Sequence, residues 1–500
     1  MQYESSRGQY KGLKGAEVIK LGIAPDGGLF VPEYIPELTS EDLKGMENLT
    51  YQEKAVYILK QFLSDFSLKQ IEECVHKAYN WESFDHEDIA PLVPLDDKTY
   101  IQELWHGPTC AFKDMALQIL PYLLTTSASI TGETDEIVIL VATSGDTGKA
   151  ALAGFKDVEN TRIIVFYPDE GVSEVQKRQM ITQEGRNVFV AAVKGNFDDA
   201  QNGVKEIFND ENIRKLLASN HKKMSSANSI NWGRLLPQIV YYIAAYVDLQ
   251  KKGVIKQGEK INVVVPTGNF GNILAAFYTR RMGIPINRLI CASNANNVLT
   301  DFIRNGVYDR NRKFEKTISP SMDILISSNL ERLLYEVTGH DAQKVRDWMK
   351  RLKDTGRYEV DSLTREKVQE LFWADFCNDA DTIRTIREVW QDYKYLLDTH
   401  TAVAVNVYNK YRKASGDNTV AVIASTASPF KFASSVARAV LPPDMMEEKN
   451  EFEVLELLSS YTGLAIPAGI KDLDKKPVIH NTKCDKTEMR ETVLRFLDIK

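Results

Sequence analysis

Two loops rich in glycine and hydroxyl side chains are the first candidates for chemistry. They read ATSGDTG (142–148) and PTGNFGN (266–272), and each follows an apolar run and precedes a segment of helical composition. Backbone amides in such loops can bind an anion at the positive end of a helix. Because Gly268 and Gly271 flank Asn269, the second loop suits a single phosphate group. The alternative for the first loop is a capped strand-to-helix turn.

Neither loop has the spacing of a nucleotide-binding motif. A P-loop needs a glycine five residues before its Gly-Lys pair and a serine or threonine after it, but Thr143 and Ala150 occupy these positions. The second loop lacks the GxGxxG pattern of dinucleotide-binding folds. NAD and ATP are therefore not the predicted ligands.

Lys113 is the candidate catalytic side chain. It follows small and apolar residues in HGPTCAFKD (106–114) and precedes the apolar run MALQILPYLL. Most lysines are solvated, but an amine at the start of a buried helix has a lowered pKa, because burial and the positive helix end both disfavour its charge. A neutral lysine amine forms Schiff bases with carbonyl groups.

Together these features predict pyridoxal 5'-phosphate (PLP), whose site needs an amine, a phosphate-binding loop and a partner for the ring nitrogen. Thr426 follows the strand-like run AVIAS (421–425) and offers such a partner, although a turn hydroxyl before Pro429 is the alternative. No metal site is predicted, because the histidines lack HExxH spacing and the five cysteines form no CxxC pair.

The elements that must position these residues follow an α/β pattern. Short apolar runs typical of strands buried on both faces alternate with segments of helical composition. The predicted strands are 137–142, 163–167, 188–193, 261–265, 288–292 and 421–425, and the predicted helices include 148–157, 174–185 and one starting near Gly233. Two doubly wound open-sheet units are expected, with ligands at the carboxyl ends of their strands.

Upstream, residues 51–79 have the pattern of two amphipathic helices, with Ser67 as N-cap of the second. We predict an N-terminal domain (1–95), a large PLP-binding domain (96–130 and 245–500) and a small α/β domain (131–244) that carries the SGDT loop. The charged region 343–388 is expected to form surface helices.

The composition is that of an ordinary globular chain. Of its 500 residues 43% are hydrophobic and 26% charged, and the length suggests roughly three domains. The net charge of -7 gives no bias toward nucleic acid or anionic membranes. The uncharged run 235–247 is too short for a transmembrane helix, and the first residues lack the apolar core of a signal peptide. We therefore predict a cytoplasmic protein without membrane or nucleic-acid partners.

The motifs, taken in order, resemble those of threonine synthases, which belong to the tryptophan synthase β-like (fold type II) class of PLP enzymes. The segments that carry the resemblance span most of the chain: GIAPDGGLFVPE (22–33), HGPTCAFKD, ATSGDTG, SSANSINWGR (225–234), PTGNFGN, PSMDILISSNLERLL (320–334), LLDTHTAVA (396–404) and STASPFKF (425–432). No single motif is unique, but the ordered set is specific. Ser428 departs from the family, many of whose members have histidine there.

The resemblance implies a role for each candidate residue. Lys113 would form the imine with PLP and act as the catalytic base, while Thr426 would face the ring nitrogen. The phosphate of PLP would bind to Gly268, Asn269, Phe270, Gly271 and Asn272. The substrate α-carboxylate would bind to Thr143, Ser144, Gly145, Asp146 and Thr147. A substrate phosphate would bind to Ser226, Asn228, Ser229, Asn231 and Arg234; for the last two, the alternative is a solvated helix start.

The implied activity is that of a carbon-oxygen lyase, which converts O-phospho-L-homoserine and water to L-threonine and phosphate in threonine biosynthesis. Two alternatives stay open. One is a β-eliminating serine or threonine dehydratase, which needs no second phosphate site and so gives no role to NSINWGR. The other is a non-catalytic relative that acts as a binding module, against which the intact Lys113 and loops argue.

Overall fold

The computed structural model describes residues 1–143, 145–170 and 172–499. Its strands are β1 (Tyr3–Ser5), β2 (Phe30–Pro32), β3 (Leu92–Pro94), β4 (Thr99–Glu103), β5 (Glu136–Ala142), β6 (Thr161–Pro168), β7 (Val188–Val193), β8 (Lys222–Ser225), β9 (Ile261–Pro266), β10 (Ile286–Ser293), β11 (Val307–Asp309), β12 (Arg357–Glu359), β13 (Phe372–Phe376), β14 (Ala421–Ser425) and β15 (Thr482–Cys484). The α-helices are α1 (Gly15–Leu21), α2 (Ser40–Met46), α3 (Tyr51–Phe62), α4 (Leu68–Ala78), α5 (Asp114–Leu117), α6 (Leu120–Ile130), α7 (Asp146–Phe155), α8 (Glu174–Ile181), α9 (Phe197–Asn209), α10 (Glu211–Ser219), α11 (Trp232–Lys251), α12 (Gly271–Arg281), α13 (Val298–Asn305), α14 (Leu330–Val337), α15 (Ala342–Thr355), α16 (Ser362–Leu371), α17 (Asp379–Tyr393), α18 (Thr399–Ser415), α19 (Ala433–Val440), α20 (Glu451–Thr462) and α21 (Met489–Phe496).

The N-terminal segment is mainly helical. Helices α3 and α4 confirm the two amphipathic helices predicted for residues 51–79. The Ser67 hydroxyl accepts a hydrogen bond from the Gln70 amide, as expected of an N-cap. Strands β1 and β2 pair antiparallel and hold the first residues against this helical layer.

The larger sheet has the strand order β13-β10-β9-β14-β4-β3. Its first five strands are parallel, and β3 pairs antiparallel with β4 at the edge. Strands β9, β10 and β14 confirm three predicted strands. Because parallel strands place their carboxyl ends at one edge of a sheet, the loops that follow β4, β9 and β14 emerge side by side.

The smaller sheet has the strand order β15-β7-β6-β5-β8 and is parallel throughout. Strands β5, β6 and β7 and helices α7 and α8 confirm the elements predicted from the apolar runs. The two sheets confirm the predicted α/β fold class. In the two large sheets, the sequence pattern does not predict β3, β4, β8, β13 or β15, whose segments lack a run of four apolar residues.

Helix α11 lies at the centre of the molecule. Every residue from position 232 to 247 is buried, in a core cluster that also contains side chains of the N-terminal helices, α6 and α12. Burial of this apolar surface is the main stabilising contribution, and it fixes the start of α11, where Arg234 lies, close to the carboxyl edge of the larger sheet.

The division into three domains stays a prediction. Strand β15, which lies within the range predicted for the large domain, pairs with β7 in the smaller sheet. Region 343–388 forms helices α15, α16 and most of α17, as expected, but it also contributes β12 and β13. Within the described ranges, no helix is both long and apolar enough to cross a membrane.

Candidate active site

Lys113 lies where the loop after β4 meets the end of β14. The Phe112 amide donates a hydrogen bond to the Thr426 carbonyl at 2.8 Å. Lys113 directly precedes α5, and its side chain is 14% exposed. The amide and hydroxyl of Thr109 donate to the Asp114 carboxylate at 2.8 and 2.7 Å, which fixes the loop around the lysine. The structure therefore brings Lys113 and Thr426 together.

The amine of Lys113 is prepared to lose its proton. The pKa of Lys113 falls to about 8, mainly because the side chain is buried; Lys431 and Arg234 also lower it, whereas Asp146 opposes the shift. The predicted lowering is confirmed. Since α5 has only one turn, burial rather than the predicted helix end accounts for it.

Asp146 begins α7 and interacts with four side chains. Its Oδ1 accepts a hydrogen bond from Gln176 Nε2 at 2.9 Å and lies 3.0 Å from Lys431 Nζ. Its Oδ2 accepts a hydrogen bond from Ser321 Oγ at 2.9 Å and lies 3.8 Å from Lys113 Nζ. Burial disfavours the charged carboxylate, but the two ammonium groups outweigh it and hold the pKa of Asp146 well below its usual range.

The loop before α7 is shaped by Thr143. Its Oγ1 accepts hydrogen bonds from the Gly145 amide and from a second amide in α7, both at 3.0 Å. Thr147 is partly exposed at the start of the helix. An ionised Asp146 side chain repels a second carboxylate. The groups of this loop that suit a substrate α-carboxylate are therefore its amides and hydroxyls. Ser144 lies outside the described residues.

The 268–272 loop joins β9 to α12, and its backbone amides make no hydrogen bond to the described part of the chain. Phe270, directly before α12, has a left-handed φ of 63°, a geometry that builds an anion-binding nest of amides. Asn272 adds an Nδ2 group that is buried and has no partner among the described residues, while its Oδ1 accepts hydrogen bonds from Tyr241 and Tyr242. These free donors fit the phosphate group of PLP.

A neighbouring segment holds the carbonyl groups of this loop. Ser327 Oγ donates to the Gly268 carbonyl at 2.7 Å, and two nitrogens of Asn329 donate to the Asn269 carbonyl at 3.1 Å. In a trans peptide the N–H points opposite to the C=O, so the amide of each of these peptide bonds points away from the bound carbonyl. Gly268 is required here, because a Cβ would lie 2.8 Å from the Ser321 carbonyl oxygen.

Arg234 is a buried cation that forms no ion pair with the described residues. Its side chain lies in α11, and the residue is 4% exposed. Nη1 donates to the Ala227 carbonyl at 2.9 Å, while Nε is buried without a partner. Burial alone lowers the pKa of Arg234 to about 10, so the group stays charged at neutral pH. A buried charge without a counterion predicts an anionic ligand.

The predicted phosphate ligands in the segment before α11 differ in whether their polar groups are already engaged within the fold. Asn231 caps the helix: its Oδ1 accepts an amide at 2.9 Å, and its Nδ2 donates to the Ile19 carbonyl at 3.0 Å. Both polar groups are thus engaged within the fold, which favours a structural role over the predicted contact with a substrate phosphate. Asn228 is exposed and its amide donates to Ser226 Oγ at 3.2 Å, while the Ser229 carbonyl accepts a hydrogen bond at 3.2 Å.

Comparisons with known proteins match this arrangement along the chain. Three family models match: "Threonine synthase N terminus" at residues 2–79, "Pyridoxal-phosphate dependent enzyme" at 84–364 and "Threonine synthase, C-terminal" at 401–460. Threonine synthase of Pseudomonas aeruginosa is 38% identical over 88% of this chain and 90% of its own length. The crystal structure of PLP-bound threonine synthase from Brucella melitensis superposes with a TM-score of 0.88 at 35% identity and covers 99% of both chains.

The chain belongs to the threonine synthase family. It is also 40% identical, over 95% of its length, to the human protein named Threonine synthase-like 1, and it spans 63% of the length of that relative. The chain thus spans most of the bacterial threonine synthase but less than two thirds of the human relative, which is considerably longer.

Sequence reasoning missed several side chains of the site. Ser321 and Lys431 contact Asp146, and the Ser321 amide donates to His400 Nε2 at 3.1 Å. Asp398 Oδ1 lies 3.0 Å from His400 Nδ1, so the ring carries its proton on Nδ1 and accepts through Nε2. The available signal was the resemblance of segments 320–334, 396–404 and 425–432 to threonine synthases, which gave these residues no role.

Proposed function

We propose that this chain binds PLP at the carboxyl edge of the larger sheet. Lys113 supplies the amine that bonds to the cofactor aldehyde, and Thr426 offers its hydroxyl to the ring nitrogen. The amides of Gly268, Asn269, Phe270 and Gly271 and the Nδ2 of Asn272 hold the phosphate. The lowered pKa of Lys113 and the unpaired donors of the 268–272 loop support this assignment.

The activity that we propose is the conversion of O-phospho-L-homoserine and water to L-threonine and phosphate. The observation that carries it is Arg234, a buried guanidinium whose Nε has no partner in the described part of the chain. It is close enough to Lys113 to lower the pKa of that amine, so an anion bound to Arg234 would lie near the reacting carbons. A phosphorylated substrate supplies such an anion, whereas a β-eliminating dehydratase has no need of this second anion site.

Each side chain then has a defined task. Bound PLP supplies an electron sink for a carbanion at the substrate Cα. Once the substrate amine has replaced it at the cofactor, Lys113 Nζ, which is partly neutral at pH 7 to 8, removes the Cα proton and returns a proton to Cγ, the carbon that the phosphate leaves. Arg234 orients the phosphate and stabilises it as it leaves, and the amides at the start of α7, with Thr147, hold the α-carboxylate.

The test is to identify the products from O-phospho-L-homoserine with purified, PLP-supplemented protein. Equal amounts of threonine and phosphate are expected. A keto acid with phosphate would identify an eliminating enzyme instead, and the absence of phosphate release would refute the proposed reaction. Lys113→Ala serves as the control, since it should keep the circular dichroism spectrum of the wild type but lose both turnover and the absorbance of the PLP imine.

Two further parts of the proposal concern context. We propose a role in threonine biosynthesis, which follows from the product. We also propose a cytoplasmic location, supported by five cysteines that are all buried free thiols, an arrangement typical of a reducing compartment.

A further inference from the structure

Lys431 is a fully buried lysine that connects two parts of the candidate active site. It lies in a short helical turn after β14, and its side chain is 0% exposed. Its Nζ donates a hydrogen bond to the Thr109 carbonyl at 2.7 Å and lies 3.0 Å from Asp146 Oδ1. Thr109 in turn holds Asp114, the residue after Lys113. Lys431 therefore contacts both the loop that carries Lys113 and the start of α7.

The Asp146 carboxylate has two cationic neighbours at unequal distances. It is in direct contact with Lys431, whereas Lys113 Nζ lies 3.8 Å away. The hydroxyl of Ser321 bridges this second gap, because it donates to Asp146 Oδ2 at 2.9 Å and accepts from Lys113 Nζ at 3.4 Å. A direct ion pair between Asp146 and Lys113 would stabilise the ammonium form and reduce the fraction of free amine. In the structure the Lys113–Asp146 ion pair is held at 3.8 Å, beyond hydrogen-bond distance and longer than the 3.0 Å contact between Lys431 and Asp146.

We propose that Lys431 is a positioning residue, which holds the Asp146 carboxylate away from Lys113 and thereby keeps the Lys113 amine free to react. The inference rests on the proposed function in one respect, the assignment of Lys113 as the lysine that binds PLP. Without the charge of Lys431, the buried Asp146 carboxylate would have Lys113 as its nearest cation, and a buried carboxylate is strongly driven to pair.

The charged groups that act on Lys113 come from four elements. Asp146 belongs to α7, Lys431 to the turn after β14, Arg234 to α11 and Asp114 to α5. Loss of Lys431 removes one repelling cation and lets one anion approach, so both consequences favour the protonated amine. Loss of both Asp146 and Lys431 removes the carboxylate that raises the pKa of Lys113 and the ammonium group that lowers it. Because the carboxylate has the larger effect, the pKa of Lys113 should then equal or lie below its wild-type value.

The test measures the protonation of Lys113 directly in the full-length chain, with PLP removed. Acetic anhydride acetylates only neutral amines, so the pH profile of Lys113 acetylation, followed by mass spectrometry, gives its pKa. In Lys431→Met this pKa should rise by about one unit or more, equivalent to about tenfold less acetylation at a fixed pH near 7. Lys431→Arg should restore the wild-type profile, because it keeps the charge.

Two further variants complete the set. The double variant Lys431→Met/Asp146→Asn should have a Lys113 pKa equal to or below that of the wild type. Lys54→Met is the matched control, because Lys54 is another buried lysine, paired with Asp248 at 2.8 Å, and it should leave the Lys113 profile unchanged.

An unchanged Lys113 profile in Lys431→Met, in protein with wild-type circular dichroism, would overturn the proposal. If Lys431→Met does not fold, the double variant provides the test, because it leaves neither charge of the buried pair without its partner. A Lys113 pKa above the wild-type value in the double variant would contradict the proposal. Failure of the proposed function would give a different result. The wild type would then produce no threonine, while the Lys113 pKa would still be higher in Lys431→Met than in the wild type, Lys431→Arg and the double variant.

Discussion

Replacement of Arg234 by methionine removes the buried cation of the candidate active site but keeps much of its apolar volume. Nη1 is engaged with the Ala227 carbonyl, whereas Nε is free to bind a ligand. A hydrogen bond to a charged group contributes about 1.5–3 kcal/mol, and truncation of one partner of a buried charged pair costs about 2–5 kcal/mol. For O-phospho-L-homoserine, kcat/KM should therefore fall by about 30- to 5000-fold.

The stability of Arg234→Met should not fall together with its activity. A buried guanidinium without a counterion costs free energy in the ligand-free protein, so its removal should leave the free energy of unfolding unchanged or raise it. Arg332 is the matched control. It is also fully buried, but it donates to the Phe30 and Ile230 carbonyls and to Asn329 Oδ1. Arg332→Met should lower the free energy of unfolding by about 2–4 kcal/mol, since it leaves those acceptors unpaired.

The assay combines phosphate release as a function of substrate concentration with urea unfolding and the PLP absorbance spectrum of each variant. The expected pattern for Arg234→Met is a large kinetic defect, a normal PLP spectrum and undiminished stability. If Arg234→Met instead lowered the free energy of unfolding as much as Arg332→Met and left kcat/KM unchanged, Arg234 would be a structural arginine and the argument for a substrate phosphate would fail.

Three further predictions test the cofactor site and the charge cluster around His106. Asn272→Asp should weaken PLP binding by about 10- to 100-fold in absorbance titrations, because it replaces an unpaired buried donor by a carboxylate but keeps the acceptor for the two tyrosines; equal affinity would exclude Nδ2 as a phosphate ligand. Gly268→Ala should weaken PLP binding and lower Tm, because its Cβ would meet a carbonyl at 2.8 Å, whereas Gly45→Ala, where no atom lies within 4 Å, should do neither. Burial alone would lower the pKa of His106, but two acidic neighbours raise it to about 9. Its stabilising contribution should be complete below about pH 6.5 and be lost as the pH rises through about 9, so His106→Gln should reduce the difference in unfolding free energy between pH 6 and pH 9.5 by about 1–3 kcal/mol; an unchanged difference would contradict this ionisation.

The strands that could be predicted are those whose own sequence requires burial on both faces. The runs that became β5, β6 and β7 are continuously apolar, and the run of β9 has one polar residue, Asn262, so their place inside parallel sheets follows from composition. The segment KKMS of β8 contains two charged residues and one hydroxyl. Such a segment forms a strand only because a neighbour offers a free edge for pairing, and this information lies in the tertiary structure rather than in its own residues.

The residues of the candidate site also divide into those that local sequence predicts and those that only the tertiary structure brings together. Burial of Lys113 could be predicted because apolar residues flank it in the chain. The contact that Lys431 makes with Thr109 joins residues 322 positions apart, and no local pattern encodes it. Asn231 shows the same limit of local patterns: its residue type suits a phosphate, but only the tertiary structure shows that its side-chain amide donates to the Ile19 carbonyl of a distant helix.

The ion pair between Asp146 and Lys431 connects the two sheets, since Asp146 begins the helix after β5 and Lys431 follows β14. Movement of α7 away from the larger sheet would leave each of the two charges without its counterion, and breaking such a buried pair costs about 3–5 kcal/mol. The arrangement with α7 against the larger sheet is therefore favoured until another anion compensates Lys431. Because the same carboxylate also contacts Ser321 and influences Lys113, the position of α7 and the protonation of the reactive amine cannot change independently.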